Sequence, residues 1–153
     1  MRRSKSEIDL HFVWATYRRM PLVTPACEQA IYACILGEAR RHDCDVLALG
    51  GMPDHVHLAL TMPPKSSPAT LMRCIKGVSS TFVRQTLAPG AFFGWQDGYA
   101  VFAVCRSHRE TVVSYIRGQK QHHKSGVTLP EWEEVDEETP DRKPGGEFGA
   151  PGV

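Results

Sequence analysis

Two histidines, His55 and His57, stand one residue apart in the otherwise apolar run MPDHVHLAL. On a strand, residues i and i+2 share a face, so the two imidazoles project side by side and can share one metal ion. A lone HxH is explained as readily by imidazoles bonded to backbone groups. The apolar surroundings raise the cost of leaving two such rings unsatisfied. Imidazole suits several transition ions without choosing among them, so a third ligand must come from elsewhere. The segment SYIRGQKQHH supplies candidates. Tyr115 and Gln119 are i and i+4 on one helix face, and His122 and His123 follow. A helical tyrosine is commonly a packing residue with its hydroxyl at the edge. Beside a divalent metal it can instead attack a phosphodiester, with Gln119 lending its amide oxygen to the ion.

The elements that must position these residues follow from periodicity. In IDLHFVWATYR, Ile8, Leu10, Phe12 and Trp14 alternate with Asp9, His11 and Val13, the period of a strand. Thr24-Pro25 reads as an N-cap and first helical residue. The helix it opens runs to about His42, with a packing face of Ala26, Ala30, Ala33 and Leu36 or Gly37. Val46 to Leu49 and Leu58 to Leu60 read as two strands of a hairpin, with Gly50-Gly51 and Pro53-Asp54 in the connection. A second amphipathic helix spans 69–87, with Leu71, Ile75, Val78 and Phe82 on one stripe. Arg73, Lys76, Ser80 and Arg84 form a basic stripe beside it. Residues 99–105 read as a strand. Ser107-x-x-Glu110 has the form of a capping box, opening a last helix that runs to about Lys124 and ends at Gly126. The order β-α-β-β-α-β-α predicts an α+β fold: a ferredoxin-like or RRM-like antiparallel sheet, helices on one face, and an added C-terminal helix that carries Tyr115.

Composition narrows the class. A chain of 153 residues suits one domain, burying roughly 70% of its surface on folding. No apolar run approaches the ~20 residues that cross a bilayer. The charged start MRRSKSEIDL lacks the apolar core of a secretory signal, which points to the cytoplasm. The five cysteines are odd in number, widely spaced and without a CxxC pair, so neither a disulfide framework nor a structural zinc site is expected. Most read as small buried hydrophobes. Residues 131–153 carry eight acids against Arg142 and Lys143 and are rich in Pro and Gly, the composition of a disordered tail. With a whole-chain charge of +1, the remainder carries +7, from 16 basic and 9 acidic residues. The domain is then 6–130, a basic body that suits a polyanion.

PDHVHL after a strand, KGVSSTF in a middle helix, a Trp95-Gln96 pair and a closing YIRGQKQHH occur in that order. Together they resemble the single-tyrosine HUH transposases of small insertion sequences and the related REP-associated tyrosine transposases, where U is a hydrophobic residue, here Val56. The resemblance spans about Asp9 to Lys124. It implies an enzyme that cleaves and rejoins single-stranded DNA at hairpin-flanked ends through a 5′-phosphotyrosine intermediate. By that resemblance Tyr115 is the nucleophile, and His55, His57 and Gln119 bind Mg²⁺ or Mn²⁺. It also implies a homodimer in which one chain's tyrosine helix can serve its partner's histidines, acting at the nucleoid. Transesterification keeps the phosphodiester energy in the tyrosyl link, which agrees with the lack of a GxxxxGK[ST] nucleotide loop. One departure from the family pattern is Gly118, just before Gln119, where asparagine is common. Glycine costs roughly 1 kcal/mol in a helix interior.

For DNA contacts, Arg73, Lys76 and Arg84 are candidates to track phosphates, as are Arg18 and Arg19 after the first strand. Phe92, Phe93 and Trp95 either stack on unpaired bases or pack the core. Competing readings are a REP-associated nuclease and a non-catalytic RRM-like nucleic-acid-binding domain. The latter wants an RNP-like signature, which this chain lacks. A zinc hydrolase using His55, His57 and His122 or His123 would leave Tyr115 and Gln119 without roles. A two-histidine phosphoesterase would want two separate H-x-[ST] strands, and only HVH is found.

Overall fold

The computed structural model describes residues 4–126; the tail expected at 131–153 lies outside them. Four strands form one antiparallel sheet: β1 (Asp9–Ala15), β2 (Asp45–Met52), β3 (His55–Thr61) and β4 (Ala100–Val104), in the order β2-β3-β1-β4. Between them run α1 (Glu28–Arg41) and α2 (Pro68–Phe82). After β4 come α3 (Arg109–Arg117) and α4 (Gln119–Ser125). This is the split β-α-β arrangement expected of an α+β chain.

Alternation along the central strands divides the sheet into two faces. Phe12 and Trp14 of β1 join Val56, Leu58 and Leu60 of β3 on the first face, all with no solvent exposure. Helices α1 and α2 cover this face with Ile31, Ile35, Ala39, Leu71, Met72 and Ile75. The opposite face presents His11, Val13 and Ala15 of β1 beside Ala59, His57 and His55 of β3, paired in that order. α3 and α4 cover that face, so the last helices lie on the far side of the sheet from the first two.

Several local expectations change. α1 begins at Glu28, after a turn in which the Thr24 carbonyl accepts the N–H groups of Cys27 and Glu28. Its buried face is Ile31, Ile35, Glu38 and Ala39; Ala33 and Gly37 face solvent. The large isoleucines at i and i+4 remove more apolar area from water than a stripe of alanines would. α2 does open as expected of a capped helix, with Ser67 accepting from the Thr70 N–H and Pro68 following. It gives way at Val83–Leu87 to a π-helical turn, and Val78 is exposed while Ser79 is buried. The Ser107–Glu110 capping box does not form. A 3-10 turn spans Arg106–His108, and the Ser107 hydroxyl contacts Cys105 and His108 instead. Of the cysteines only Cys44 is fully buried, and Cys105 is exposed.

The hairpin is tighter than its sequence suggests. Gly50 and Gly51 lie within β2, Met52 pairs with His55, and Pro53-Asp54 alone form the loop. The glycines serve close approach. A Cβ at Gly50 would overlap the carbonyl oxygen of Ile116, and one at Gly51 the carbonyl oxygen of His55. α3 therefore rests directly on the backbone of β2. Val112 and Ile116 pack on Ala48 and Ala59, small residues that keep the helix low on the sheet. At its start α3 is tied down by Arg109, 3.5 Å from the Asp9 carboxylate. Gly50→Ala should therefore lose about 1–3 kcal/mol of stability in urea titrations, the usual cost of overpacking. An unchanged midpoint would mean that α3 does not need this contact.

Candidate active site

α3 stops at Gly118, and α4 starts at Gln119. The single helix expected over this stretch is thus two, joined where the low helix propensity of glycine makes a break cheap. The break does not separate the predicted site residues. Tyr115, near the end of α3, sets its ring edge-on against His57, with centroids 5.9 Å apart. Gln119, first in α4, brings Oε1 to 3.2 Å from Nε2 of His55. His55, His57 and Gln119 are at most 1% exposed, and Tyr115 is 6% exposed. Tyr115, Gln119, His55 and His57 all belong to one cluster built from a single chain.

Each imidazole is aimed by a partner on its Nδ1. His55 Nδ1–H donates to the Asp54 carboxylate at 2.7 Å. That hydrogen bond, with the positive charge of Arg19, holds the Asp54 carboxyl below the usual carboxylate range. Arg19 closes the chain at 3.4 Å from the other Asp54 oxygen. His57 Nδ1 is hydrogen-bonded to Nε2 of His11 at 2.9 Å. Such outer partners fix ring orientation and tautomer in metal sites. Gln119 Oε1 also lies 3.1 Å from Nε2 of His123, whose ring sits 5.0 Å from that of His55. The side chain of His122 is outside those described.

Sequence reasoning missed His11 and read Asp54 only as a turn residue. Alternation in IDLHFVWA already placed His11 on the face opposite Phe12 and Trp14. The missing information was that the tyrosine helix would cover that face. His11 and Asp54 act on the two histidines rather than forming part of the HxH pattern, so no spacing rule points to them.

The predicted cationic residues separate. Arg19 lines an open cavity of about 420 Å³ with Pro21, Met52, Pro53, Asp54, His55 and His123. Arg18 lies beside it on the surface. Arg73 and Arg84 are exposed on α2 and the turn that follows it, on the other side of the sheet. Lys76 turns its ammonium to the backbone carbonyls of Gln96, at 2.8 Å, and Gly98. Ser79 accepts a hydrogen bond from the Trp95 indole at 2.8 Å, and the Gln96 N–H reaches the Ala15 carbonyl. KGVSSTF and Trp95-Gln96 thus pin the 92–98 segment to α2 and to the end of β1. Phe93 and Trp95 pack together, with centroids 5.0 Å apart, whereas Phe92 is 59% exposed.

A family model described as "Transposase IS200 like" matches residues 4–119, from before β1 through Gln119. The chain belongs to the IS200-like transposases. It is similar to the ISDra2 transposase TnpA of Deinococcus radiodurans, 24% identical over 118 residues, or 74% of this chain and 84% of that one. Its fold matches a crystallised candidate transposase from Deinococcus radiodurans R1 with a TM-score of 0.58 at 24% identity. That match covers 78% of this chain and 98% of the other. A REP-associated tyrosine transposase bound to a REP hairpin matches with a TM-score of 0.59 at 23% identity, covering 84% and 74%. Like those structures, this transposase is an α+β protein. No helix among its described residues is long and apolar enough to cross a membrane.

Two further groupings lie outside the histidine cluster. Glu38, His42 and Cys74 bring three donor atoms within 4.8 Å of one another, but on α1 and α2, across the sheet from Tyr115. Cys105 and His108 meet at 2.7 Å beside a smaller cavity of about 160 Å³ that His11 also lines. The hydrogen bond from His108, then that from Ser107, brings the Cys105 thiol down to about 7. Burial raises the Cys34 and Cys44 thiols instead. Because the thiolate is the nucleophile, iodoacetamide should label Cys105 first, with a rate rising through pH 7. Peptide mass spectrometry across a pH series checks this, and equal labelling of all five cysteines at pH 7 would contradict it.

Proposed function

We propose that this transposase cleaves and rejoins single-stranded DNA beside hairpin ends, with Tyr115 as nucleophile and His55, His57 and Gln119 as ligands of Mg²⁺ or Mn²⁺. The observation that carries the reading is the meeting of Gln119 Oε1 with His55 Nε2 at 3.2 Å, in the cluster where Tyr115 covers His57.

The donor set fits a divalent ion. With Nδ1–H donating to Asp54, neutral His55 turns the lone pair of Nε2 toward the amide oxygen. Two acceptors face each other, an arrangement that calls for a proton on Nε2 or a cation between them. At 3.2 Å apart, both atoms could reach one bound cation. His57, held through Nδ1 by His11, would ligate through Nε2. A divalent ion held there would supply positive charge to the phosphoryl oxygen and favour ionisation of a nearby phenol.

The chain's own residues supply the rest. The Tyr115 oxygen forms a bond to phosphorus, and the bond from phosphorus to the 3′ oxygen breaks. The phenol loses a proton and the departing 3′ oxygen gains one, so the step is proton-neutral. One strand end is left as a 5′-phosphotyrosine and the other as a free 3′-OH. Attack by a second 3′-OH reverses the chemistry and rejoins DNA, with no need of a nucleotide cofactor. Asp54 and His11 hold the imidazoles in orientation, and the basic domain attracts the strand. The reaction would take place in the cytoplasm, at the nucleoid.

Incubated with hairpin-bearing single strands from its own genomic flanks and Mg²⁺ or Mn²⁺, the native chain should yield a covalent adduct on denaturing gels. Tyr115→Phe should abolish it, and a robust adduct in that variant would sink the nucleophile assignment. His55→Ala with His57→Ala should abolish cleavage too. Asp54→Ala should raise the metal concentration required by about 10–100-fold, the usual cost of losing an outer partner.

A homodimer is part of the proposal, with each chain using its own tyrosine, because Tyr115 packs on the His57 of its own chain. A mixture of Tyr115→Phe and His57→Ala chains should then stay inactive. Recovery of adduct in the mixture would show that the tyrosine helix serves the partner.

A further inference from the structure

The turn after β1 is strained and leads to an exposed aromatic pair. Arg18 and Arg19 both have left-handed backbones, with φ of 50° and 52°. That conformation is unfavourable for any residue other than glycine, because Cβ crowds the backbone. Strain of this kind persists only where surrounding bonds impose it, and it gathers at ligand sites. Here the bonds are plain. The Thr16 hydroxyl donates to the Met20 carbonyl at 2.6 Å, and the Arg19 N–H donates back to the Thr16 carbonyl at 3.0 Å. The Tyr17 N–H binds the Gly94 carbonyl at 2.9 Å, fastening this turn to the 92–94 segment.

The result is a surface stack. Tyr17 and Phe92 meet edge to face with centroids 5.4 Å apart, and the Arg18 guanidinium lies 5.2 Å over the Tyr17 ring. Tyr17 is 37% exposed and Phe92 59%. Folding would bury such rings if packing were their only use. The next residue, Arg19, lines the cavity that contains His55 and His123. Consecutive residues thus join the two features, with Tyr17 and Arg18 in the stack and Arg19 in the cavity wall.

We infer that Tyr17, Arg18 and Phe92 form a stacking platform for an unpaired DNA base next to the scissile phosphate. The inference rests on the transposase reading above and adds the part of the substrate held outside the metal cluster. Aromatic faces take any base, since every base has a π-face, and the adjacent guanidiniums match the backbone charge. Arg18 and Arg19, on one strained turn, give that surface the fixed direction a single strand would follow toward His55.

The test compares a short oligothymidylate with an all-abasic strand of the same length, using metal-free full-length protein and fluorescence anisotropy. The native chain should prefer the oligothymidylate. Phe92→Ala and Tyr17→Ala should each weaken oligothymidylate binding by about 5-fold or more while leaving the abasic strand alone. Phe92→Trp should retain the preference. Arg18→Ala should weaken both strands and lower the salt slope by about 0.7, the loss of one phosphate contact. If Phe92→Ala binds oligothymidylate like the native chain, or loses both strands equally, the platform is wrong. A circular dichroism melt shows whether the Tyr17 variant is folded, and the half-exposed Phe92 gives a second, independent variant. The two readings fail separately. A chain that forms the covalent adduct but shows no base preference sinks the platform alone. A base preference that follows these residues, without any adduct, sinks the chemistry alone.

Discussion

At Gly50 strand β2 carries no side chain, and the Ile116 carbonyl occupies the space a Cβ would fill. Backbone against backbone is the closest approach a helix and a sheet can make, and Ala48 and Ala59 extend it along the same face. Small residues forgo apolar area here, since each buried methylene contributes about 0.8 kcal/mol. Proximity is what they provide. Tyr115 immediately precedes Ile116, so the contact that seats α3 also sets the height of the phenol ring above His57. Gly118 then ends α3, and Gln119 restarts the chain over His55. A longer side chain at Gly50 would lift the Tyr115 ring and the Gln119 amide together.

The polar cluster beneath these helices is as dry as the apolar core on the other face. His11, His55, His57 and Gln119 are all at most 1% exposed. Buried imidazoles are costly unless bonded, and here the bonds are shared in order: Arg19 to Asp54, Asp54 to His55, and His11 to His57. Lys120 adds an anchor from α4, to the Glu28 carboxylate and the Gly51 carbonyl. The two imidazoles stand on a packed strand rather than on a loop, which fixes their positions closely.

How much of this was legible in the sequence depends on whether a feature is local. The phase of β3 was legible, because Val56, Leu58 and Leu60 must face one core and leave His55 and His57 to the other side. Tyr115 and Gln119 no longer share one helix, yet each reaches a histidine of β3, since both lie within a few residues of Gly118. The start of α1 was misjudged because Thr24-Pro25 forms a turn that imitates a cap. The Ser107–Glu110 box failed because Cys105 and His108 compete for the serine hydroxyl. His11 and Asp54 stayed hidden for a different reason. Their roles exist only once β1 is laid beside β3 and the hairpin closes in two residues. Lys76 and Trp95, which stand in segments that carry the family resemblance, hold the 92–98 segment in place.

The two faces of β3 answer to different demands. Its apolar side chains are fixed by the packing of α1 and α2, and its imidazoles point the other way, under α3 and α4. Imidazoles and core-forming side chains therefore alternate along the same seven-residue strand. A chain that has lost an imidazole keeps the leucine and valine face that organises the sheet. An inert copy of such a mobile element could keep its fold after its chemistry is gone.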